Sequence, residues 1–298
     1  MTMEKTDLLV IGAGPAGISA ALYARRGGLS VTVVTKGIET GGLSKAEKIE
    51  NYYGFAEPIS GKELLRRGAA GARRLGVEIV EEELLALSFN DTFDGFKAAS
   101  RQHEWEASAV VLAAGASRRT LPIPGIAEFE GKGVSYCAIC DAFFYRGKKV
   151  AVIGSGEYAV HEAQVLLPHA DMVTLLTNGE PLTAEVPDDV AVCDGKLAAA
   201  EGAGRVERVR FADGEVLPLD GLFLAIGTAG SSELARKIGA MLDGADVKVD
   251  VHQATNVPGL FAAGDCTGGL LQVAKAVHEG AEAGLSALRY VRSKRNAK

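Results

Sequence analysis

Leu8-Leu9-Val10-Ile11-Gly12-Ala13-Gly14-Pro15-Ala16-Gly17 decides the fold of this 298-residue chain. Four apolar residues in a row, without alternation, are what a strand buried on both faces of a parallel sheet requires. The strand runs into a G-x-G-x-x-G turn, and the helical pattern Ile18 to Arg26 follows. In such a turn the first glycine closes the bend and the second lets backbone approach a pyrophosphate. The third lets helix pack on strand. The helix N-terminus then offers amides and partial positive charge to the phosphates. Val31 to Thr35 forms the next strand, ending at Lys36-Gly37.

The unit recurs. Val150-Ala151-Val152-Ile153 leads into Gly154-Ser155-Gly156-Glu157-Tyr158-Ala159, a helix from Val160 to Leu167, and a strand from Val173 to Thr177. Thr35 lies 18 residues after Gly17, and Thr177 lies 18 after Ala159, so the spacing predicts two Rossmann-type βαβ units. Ala109 to Gly115 and Gly221 to Gly227 are buried strands closing on glycine turns, the expected crossings between domains. Gly259 to Asp265 predicts a further strand and an acidic turn, with a helix from about Gln272 to Val291. The expected fold is α/β, with two three-layer Rossmann-like dinucleotide-binding domains. The second (116–241) is inserted into the first (1–115 plus 242–298).

Between the two fingerprints stands Cys137-Ala138-Ile139-Cys140-Asp141. Structural zinc needs about four ligands, usually two such pairs. The remaining cysteines, Cys193 and Cys266, are isolated and no histidine lies near the pair, so no metal is expected and redox use is the better reading. Thiolate is the reactive form, and a C-x-x-C at a helix start has its pKa lowered enough to react near neutrality. Four cysteines in a chain this long are no disulfide framework, and in a reducing compartment a C-x-x-C is usually catalytic. His161, His169, His252 and His278 are scattered and read as surface or helix-face residues.

A net charge of −6 argues against a nucleic-acid partner. The polar start, Met1 to Asp7, lacks the apolar core of a signal peptide, and no apolar run nears the ~18 residues of a membrane span. A cytoplasmic location is expected.

Gly12 to Gly17, Gly41-Gly42, Glu50-Asn51, Cys137 to Asp141, Gly154 to Ala159, Ala225-Ile226-Gly227 and Gly264-Asp265 together resemble the low-molecular-weight thioredoxin reductase family over nearly the whole chain. The resemblance implies an FAD domain, an inserted pyridine-nucleotide-type domain carrying the dithiol, a homodimer, and reduction of a disulfide on thioredoxin or a thioredoxin-like protein. It places Gly12, Gly14, Pro15, Ala16 and Gly17 at the FAD pyrophosphate. It places Thr35 at the ribose, where the usual acidic residue is missing and a hydroxyl can accept instead. Gly41, Gly42 and Asn51 would line the isoalloxazine, and Ala114 and Gly115 count among the FAD contacts. Gly264-Asp265 would hold the ribityl or pyrophosphate part. Gln272 and Val273 would turn backbone N–H groups to the flavin pyrimidine oxygens; the family often has arginine where Leu271 stands. By the family pattern Cys140 faces the flavin, Cys137 attacks the incoming disulfide, and Asp141 returns a proton to the leaving thiolate. The alternative for Asp141 is an N-cap of the helix Ala142 to Tyr145.

The chain departs from that family at its second fingerprint. Where the family commonly carries His-Arg-Arg for a 2′-phosphate, this chain has Thr177-Asn178-Gly179-Glu180. Tyr158 replaces a small turn residue, and its ring is expected to block the cleft. The stretch from Gly179 to Leu222 is shorter than the family's. Members lacking the arginine pair resemble the ferredoxin-dependent branch, so reduced ferredoxin is the expected donor. The alternatives are an ordinary NAD(P)H-dependent reductase, a non-catalytic flavin-binding module and a peroxide-forming flavin oxidase.

Overall fold

The computed structural model describes residues 3–115, 121–227 and 230–296. The chain divides into two compact units, Met1–Arg118 with Gly230–Lys298, and Arg119–Ala229. Elements are numbered along the whole chain.

In the first unit β1 (Met3–Ile11), α1 (Pro15–Arg26) and β2 (Val31–Thr35) form the βαβ motif, with α2 (Gly61–Arg74) leading to β3 (Glu78–Glu81). A meander of β4 (Ala86–Phe89), β5 (Phe96–Ala99) and β6 (Glu104–Leu112) follows. After the second unit come α5 (Ser231–Lys237), a small ribbon of β15 (Leu242–Asp243) and β16 (Asp246–Val247), then β17 (Leu260–Ala262) and α6 (Val273–Asn296). The strand order is β3-β2-β1-β6-β5-β4. On the edge away from β1, β6 serves two partners: its first half pairs antiparallel with β5 and its end pairs parallel with β17. β1 starts five residues before the apolar run because Met3 to Thr6 pair with Glu104 to Ala107, a partnership no local pattern announces.

The core of this unit packs Leu8, Val10, Val33, Val111 and Phe261 of the sheet against Ala20, Ala21 and Ala24 of α1 and Ala283 and Ala287 of α6. The helix contact is close because its residues are small. A Cβ on Gly280 would stand 2.1 Å from the Ala16 carbonyl oxygen, and one on Gly284 2.4 Å from that of Ala20.

In the second unit β7 (Val134–Ser135), α3 (Ala138–Asp141), β8 (Lys149–Ile153), α4 (Glu157–Leu166), β9 (Met172–Leu176), β10 (Val190–Cys193) and β14 (Gly221–Leu224) build a parallel sheet of order β10-β9-β8-β14-β7. An antiparallel sheet of β11 (Leu197–Glu201), β12 (Arg208–Phe211) and β13 (Val216–Pro218) covers it through Val209 and Phe211.

The expected N-terminal boundary at 116 lies outside the described residues. The chain returns to the first unit at Gly230 rather than at 242. Tertiary contacts decide this. Ser231 and Leu234 of α5 are fully buried, and the Ser231 hydroxyl accepts the Ala114 N–H at 3.0 Å, which ties α5 to the end of β6.

Candidate functional site

Four parallel strands of the first unit end side by side, since Ile11 pairs with Val34 and Leu112, and Leu112 pairs with Ala262. The turns after them therefore share one edge, where open α/β sheets bind ligands. A Cβ on Gly12 would meet the Ala113 carbonyl oxygen at 2.4 Å, one on Gly17 the Gly12 oxygen at 1.8 Å, and one on Gly264 the Ala16 Cβ at 2.9 Å. Gly12 to Gly17, Ala113 to Gly115 and Gly264-Asp265 are thus one cluster. Gly12 and Gly264 also need their glycine, with φ of 108° and 87°.

Gly14 differs from these: a Cβ there would meet nothing within 4 Å, so its face opens to space. It is also the N-cap of α1, with Pro15 at the first position and no side chain capping the turn. That leaves helix-start amides for an anion. Thr35 closes its own turn through Gly37, its hydroxyl donating to the Gly37 carbonyl at 3.3 Å. Asn51 and Gln272, far apart in sequence, meet through a bond from the Asn51 amide to Gln272 Oε1 at 2.9 Å. Val273 opens α6 beside them, and Gly41 and Gly42 lie on an exposed 3-10 turn.

The loop from Gly264 to Gly268 is held by a pair that the sequence reading missed. Lys275 Nζ donates to Gly264 O and Thr267 Oγ1, both at 2.9 Å, and reaches Glu279 Oε2 at 3.0 Å. Glu279 Oε2 accepts the Gly264 N–H at 2.8 Å. The pair sits one turn apart on α6, the i,i+4 spacing that could have flagged it. Lys275→Met should leave Glu279 and the Gly264 carbonyl without their charged partner, at a cost of about 3 kcal/mol. Denaturant unfolding measures that loss, and FAD should dissociate more readily from the variant.

In the second unit Cys137 and Cys140 form a disulfide, with Cα atoms 5.3 Å apart. Cys137 is the N-cap of α3, its sulfur accepting the Cys140 N–H at 3.2 Å. Ser135 Oγ accepts the Cys137 N–H at 3.1 Å. Cys137 is 4% exposed and Cys140 is the exposed cysteine of the pair, the reverse of what an attacking Cys137 needs in the oxidised unit. Asp141 makes no side-chain cap bond to the 3-10 turn Ala142–Tyr145, against the capping alternative. Burial, and then the charge of Asp141, push the Tyr145 phenol up. Around the disulfide Ile139, Phe143 and Phe144 are 58%, 62% and 67% exposed, an apolar skirt on an otherwise ordinary surface. The Arg146 guanidinium lies over the Phe143 ring at 4.4 Å.

Cys193 and Cys266 are free thiols. Burial pushes the Cys266 thiol up to about 11, so it packs as a small hydrophobe. Among the described residues no group of three His, Cys, Asp or Glu is placed to hold a metal ion, and no helix is long and apolar enough to cross a membrane.

The second fingerprint is arranged differently from the first. Tyr158 does not block a cleft: it is 1% exposed, its ring in the core. Tyr158 shares the buried part of α4 with Ala159, Ala163 and Leu166. What lies over the turn is Thr183, whose N–H and hydroxyl both donate to the Ser155 carbonyl, at 2.8 and 3.1 Å. At the end of β9, Thr177 is buried, and Asn178 takes a left-handed φ of 55° with its Oδ1 accepting the Leu197 N–H at 2.7 Å.

Paired βαβ units, one carrying an accessible disulfide, define a disulfide oxidoreductase of the dinucleotide-binding kind. A profile of the pyridine nucleotide-disulphide oxidoreductases matches residues 6–280. The thioredoxin reductase of Listeria monocytogenes is 33% identical, over 96% of this chain and 93% of that protein. The crystal structure of the atypical thioredoxin reductase TRi from Desulfovibrio vulgaris Hildenborough is 40% identical with a TM-score of 0.90, covering 96% of this chain and 98% of that one. A ferredoxin-flavin thioredoxin reductase from Clostridium acetobutylicum is 30% identical with a TM-score of 0.76, covering 98% and 100%. The chain belongs to the thioredoxin reductase family of pyridine nucleotide-disulphide oxidoreductases. It is an enzyme of an FAD-binding family. The uncapped start of α1, the open face at Gly14 and the glycine cradle around it fit that cofactor.

Proposed function

We propose that the enzyme reduces thioredoxin or a thioredoxin-like protein through Cys137 and Cys140, and that its electrons come from reduced ferredoxin rather than from NAD(P)H. The observation that carries the donor assignment is the bridge from Thr183 to Ser155 across the second glycine turn. A Cβ on Gly156 would have Thr183 Oγ1 at 3.6 Å, whereas Gly14 faces open space. A pyrophosphate would have to displace chain from the seat where the first unit leaves room. Thr177 is buried and Asn178 is engaged with Leu197, and neither replaces a bidentate arginine on a 2′-phosphate. The ferredoxin-flavin reductase from Clostridium is a structural precedent by its name.

Gly12, Gly14, Pro15, Ala16 and Gly17 would hold the FAD pyrophosphate, with Thr35 near the ribose and Ala114, Gly115, Gly264 and Asp265 along the same edge. Gly41, Gly42, Asn51, Gln272 and Val273 would border the ring, and the Asn51–Gln272 bond supports that grouping. Bound FAD supplies the link between a one-electron donor and a two-electron disulfide reduction, because it takes electrons singly and passes them on as a pair. Cys137 and Cys140 exchange with the substrate through a mixed disulfide. Asp141, free of a capping bond, returns the proton to the leaving thiolate. The exposed Ile139, Phe143 and Phe144 favour a protein substrate over a small disulfide, since apolar skirts of this kind mark docking surfaces. The homodimer belongs to the same proposal.

The test is anaerobic. Oxidised enzyme is mixed with excess NADPH, then NADH, then photoreduced ferredoxin, and the flavin band is followed. Bleaching by ferredoxin alone, with subsequent reduction of thioredoxin disulfide, is the expected result. Fast bleaching by either nucleotide would overturn the ferredoxin assignment. Bleaching without any disulfide turnover would favour the flavin-binding module, or an oxidase if peroxide forms on admitting air.

A further inference from the structure

Glu162 on α4 is a charged side chain where none is expected. It is 2% exposed, and its Oε2 accepts the Ala138 N–H at 2.8 Å. Ala138 follows Cys137 directly and begins α3, so this amide is one of the donors a helix start leaves over. Ser135 takes the Cys137 amide and Cys137 Sγ takes the Cys140 amide, both neutral partners. The amide between them is met by a carboxylate from another helix. A neutral oxygen would satisfy it with a far smaller desolvation cost. Local rules broken in this way mark functional sites.

We propose that Glu162 is a positioning residue for the Cys137–Cys140 pair, and that its negative charge makes the dithiol a stronger reductant. Reduction breaks the S–S bond, takes two electrons from the reduced flavin and takes up one proton from solvent, leaving one sulfur as thiol and the other as thiolate. Thiolate charge on Cys137 is opposed by a buried carboxylate bonded to the amide of the next residue. The neutral disulfide is therefore favoured, and the reduced pair gives its electrons to substrate more readily. The inference rests on Cys137 and Cys140 being the exchanging pair, but not on the identity of the electron donor.

The holoenzyme is equilibrated anaerobically with graded ratios of reduced and oxidised dithiothreitol, quenched with a maleimide, and its reduced fraction counted by mass. Flavin absorbance is recorded in parallel. In Glu162→Gln the carboxamide oxygen still accepts the Ala138 N–H, so geometry is kept and charge removed. The equilibrium constant for reduction should rise about tenfold, or about 30 mV. Glu162→Met should move it in the same direction. A Gln variant equal to wild type, with only the Met variant shifted, would overturn the inference and leave Glu162 as a hydrogen-bond acceptor. Should the Gln protein fail to retain FAD, iodoacetamide capture of the reduced Glu162→Gln protein, compared with wild type stripped of its FAD, reads the same charge with the acceptor kept. Faster capture than wild type at one pH supports the inference, and an equal or slower rate overturns it. A pair that dithiothreitol cannot reduce at any ratio would remove the redox assignment itself.

Discussion

Cys137→Ser and Cys140→Ser are each expected to lose disulfide reduction by on the order of 10³-fold or more, while keeping FAD. A serine hydroxyl cannot exchange with a disulfide, and either sulfur alone cannot complete the two-step transfer. FAD retention follows from the architecture, because every residue grouped at the Gly14 edge belongs to the first unit and the disulfide to the second. Insulin-coupled turnover with thioredoxin measures the loss, and the flavin spectrum measures retention. The pair also decides the order of attack. Cys140→Ser keeps the thiol that the family pattern assigns to attack and should trap thioredoxin as a mixed disulfide through Cys137. Trapping by Cys137→Ser instead would assign attack to Cys140, the cysteine exposed in the oxidised unit. Full activity in either variant would remove the dithiol mechanism.

The second large effect is expected far from any sulfur. Gly280→Val should destabilise the first unit by about 3 kcal/mol or more and release FAD. Gly280 lies in α6 where its Cα faces the backbone of α1, and an added Cβ would fall 2.1 Å from the Ala16 oxygen and 2.9 Å from its Cα. Backbone cannot swing aside as a side chain does, so α1 must move. α1 carries Ala16 and Gly17, hence the open turn at Gly14 moves with it. Denaturant unfolding and retained flavin per chain are the measurements. His278→Ala, on an exposed position of the same helix, should stay within about 0.5 kcal/mol of wild type. A Gly280→Val protein as stable and as yellow as wild type would mean that the α1–α6 contact does not hold the turn.

Much of this architecture is legible in short stretches. Leu8 to Gly17 and Val150 to Ala159 announce their βαβ units because a buried parallel strand must be apolar throughout and a phosphate turn must be glycine. Cys137 to Asp141 announces the dithiol because its chemistry is local. Asn51 and Gln272 are grouped in the sequence only through resemblance; that they hydrogen-bond each other is a contact no local pattern announces. Tyr158 went the other way. Its place in the turn pointed to a blocked cleft, but helix geometry sends the ring into the core, and Thr183 bridges the turn instead. Thr183 carries no signal of its own, since a threonine in a loop has many uses.

Sequence alone determined the α/β class, the doubled βαβ unit, the glycine turns and the closely spaced cysteine pair, because each depends on residues close together along the chain. Tertiary structure decided which turns share an edge, that α5 returns to the first unit, and that Gly280 and Gly284 set the spacing of α1 and α6. It also decided that a buried carboxylate from α4 meets the amide beside Cys137. These rest on contacts between residues far apart in the chain, such as Glu162 with Ala138 and Gly280 with Ala16, which strand pairing and helix packing bring together only after folding.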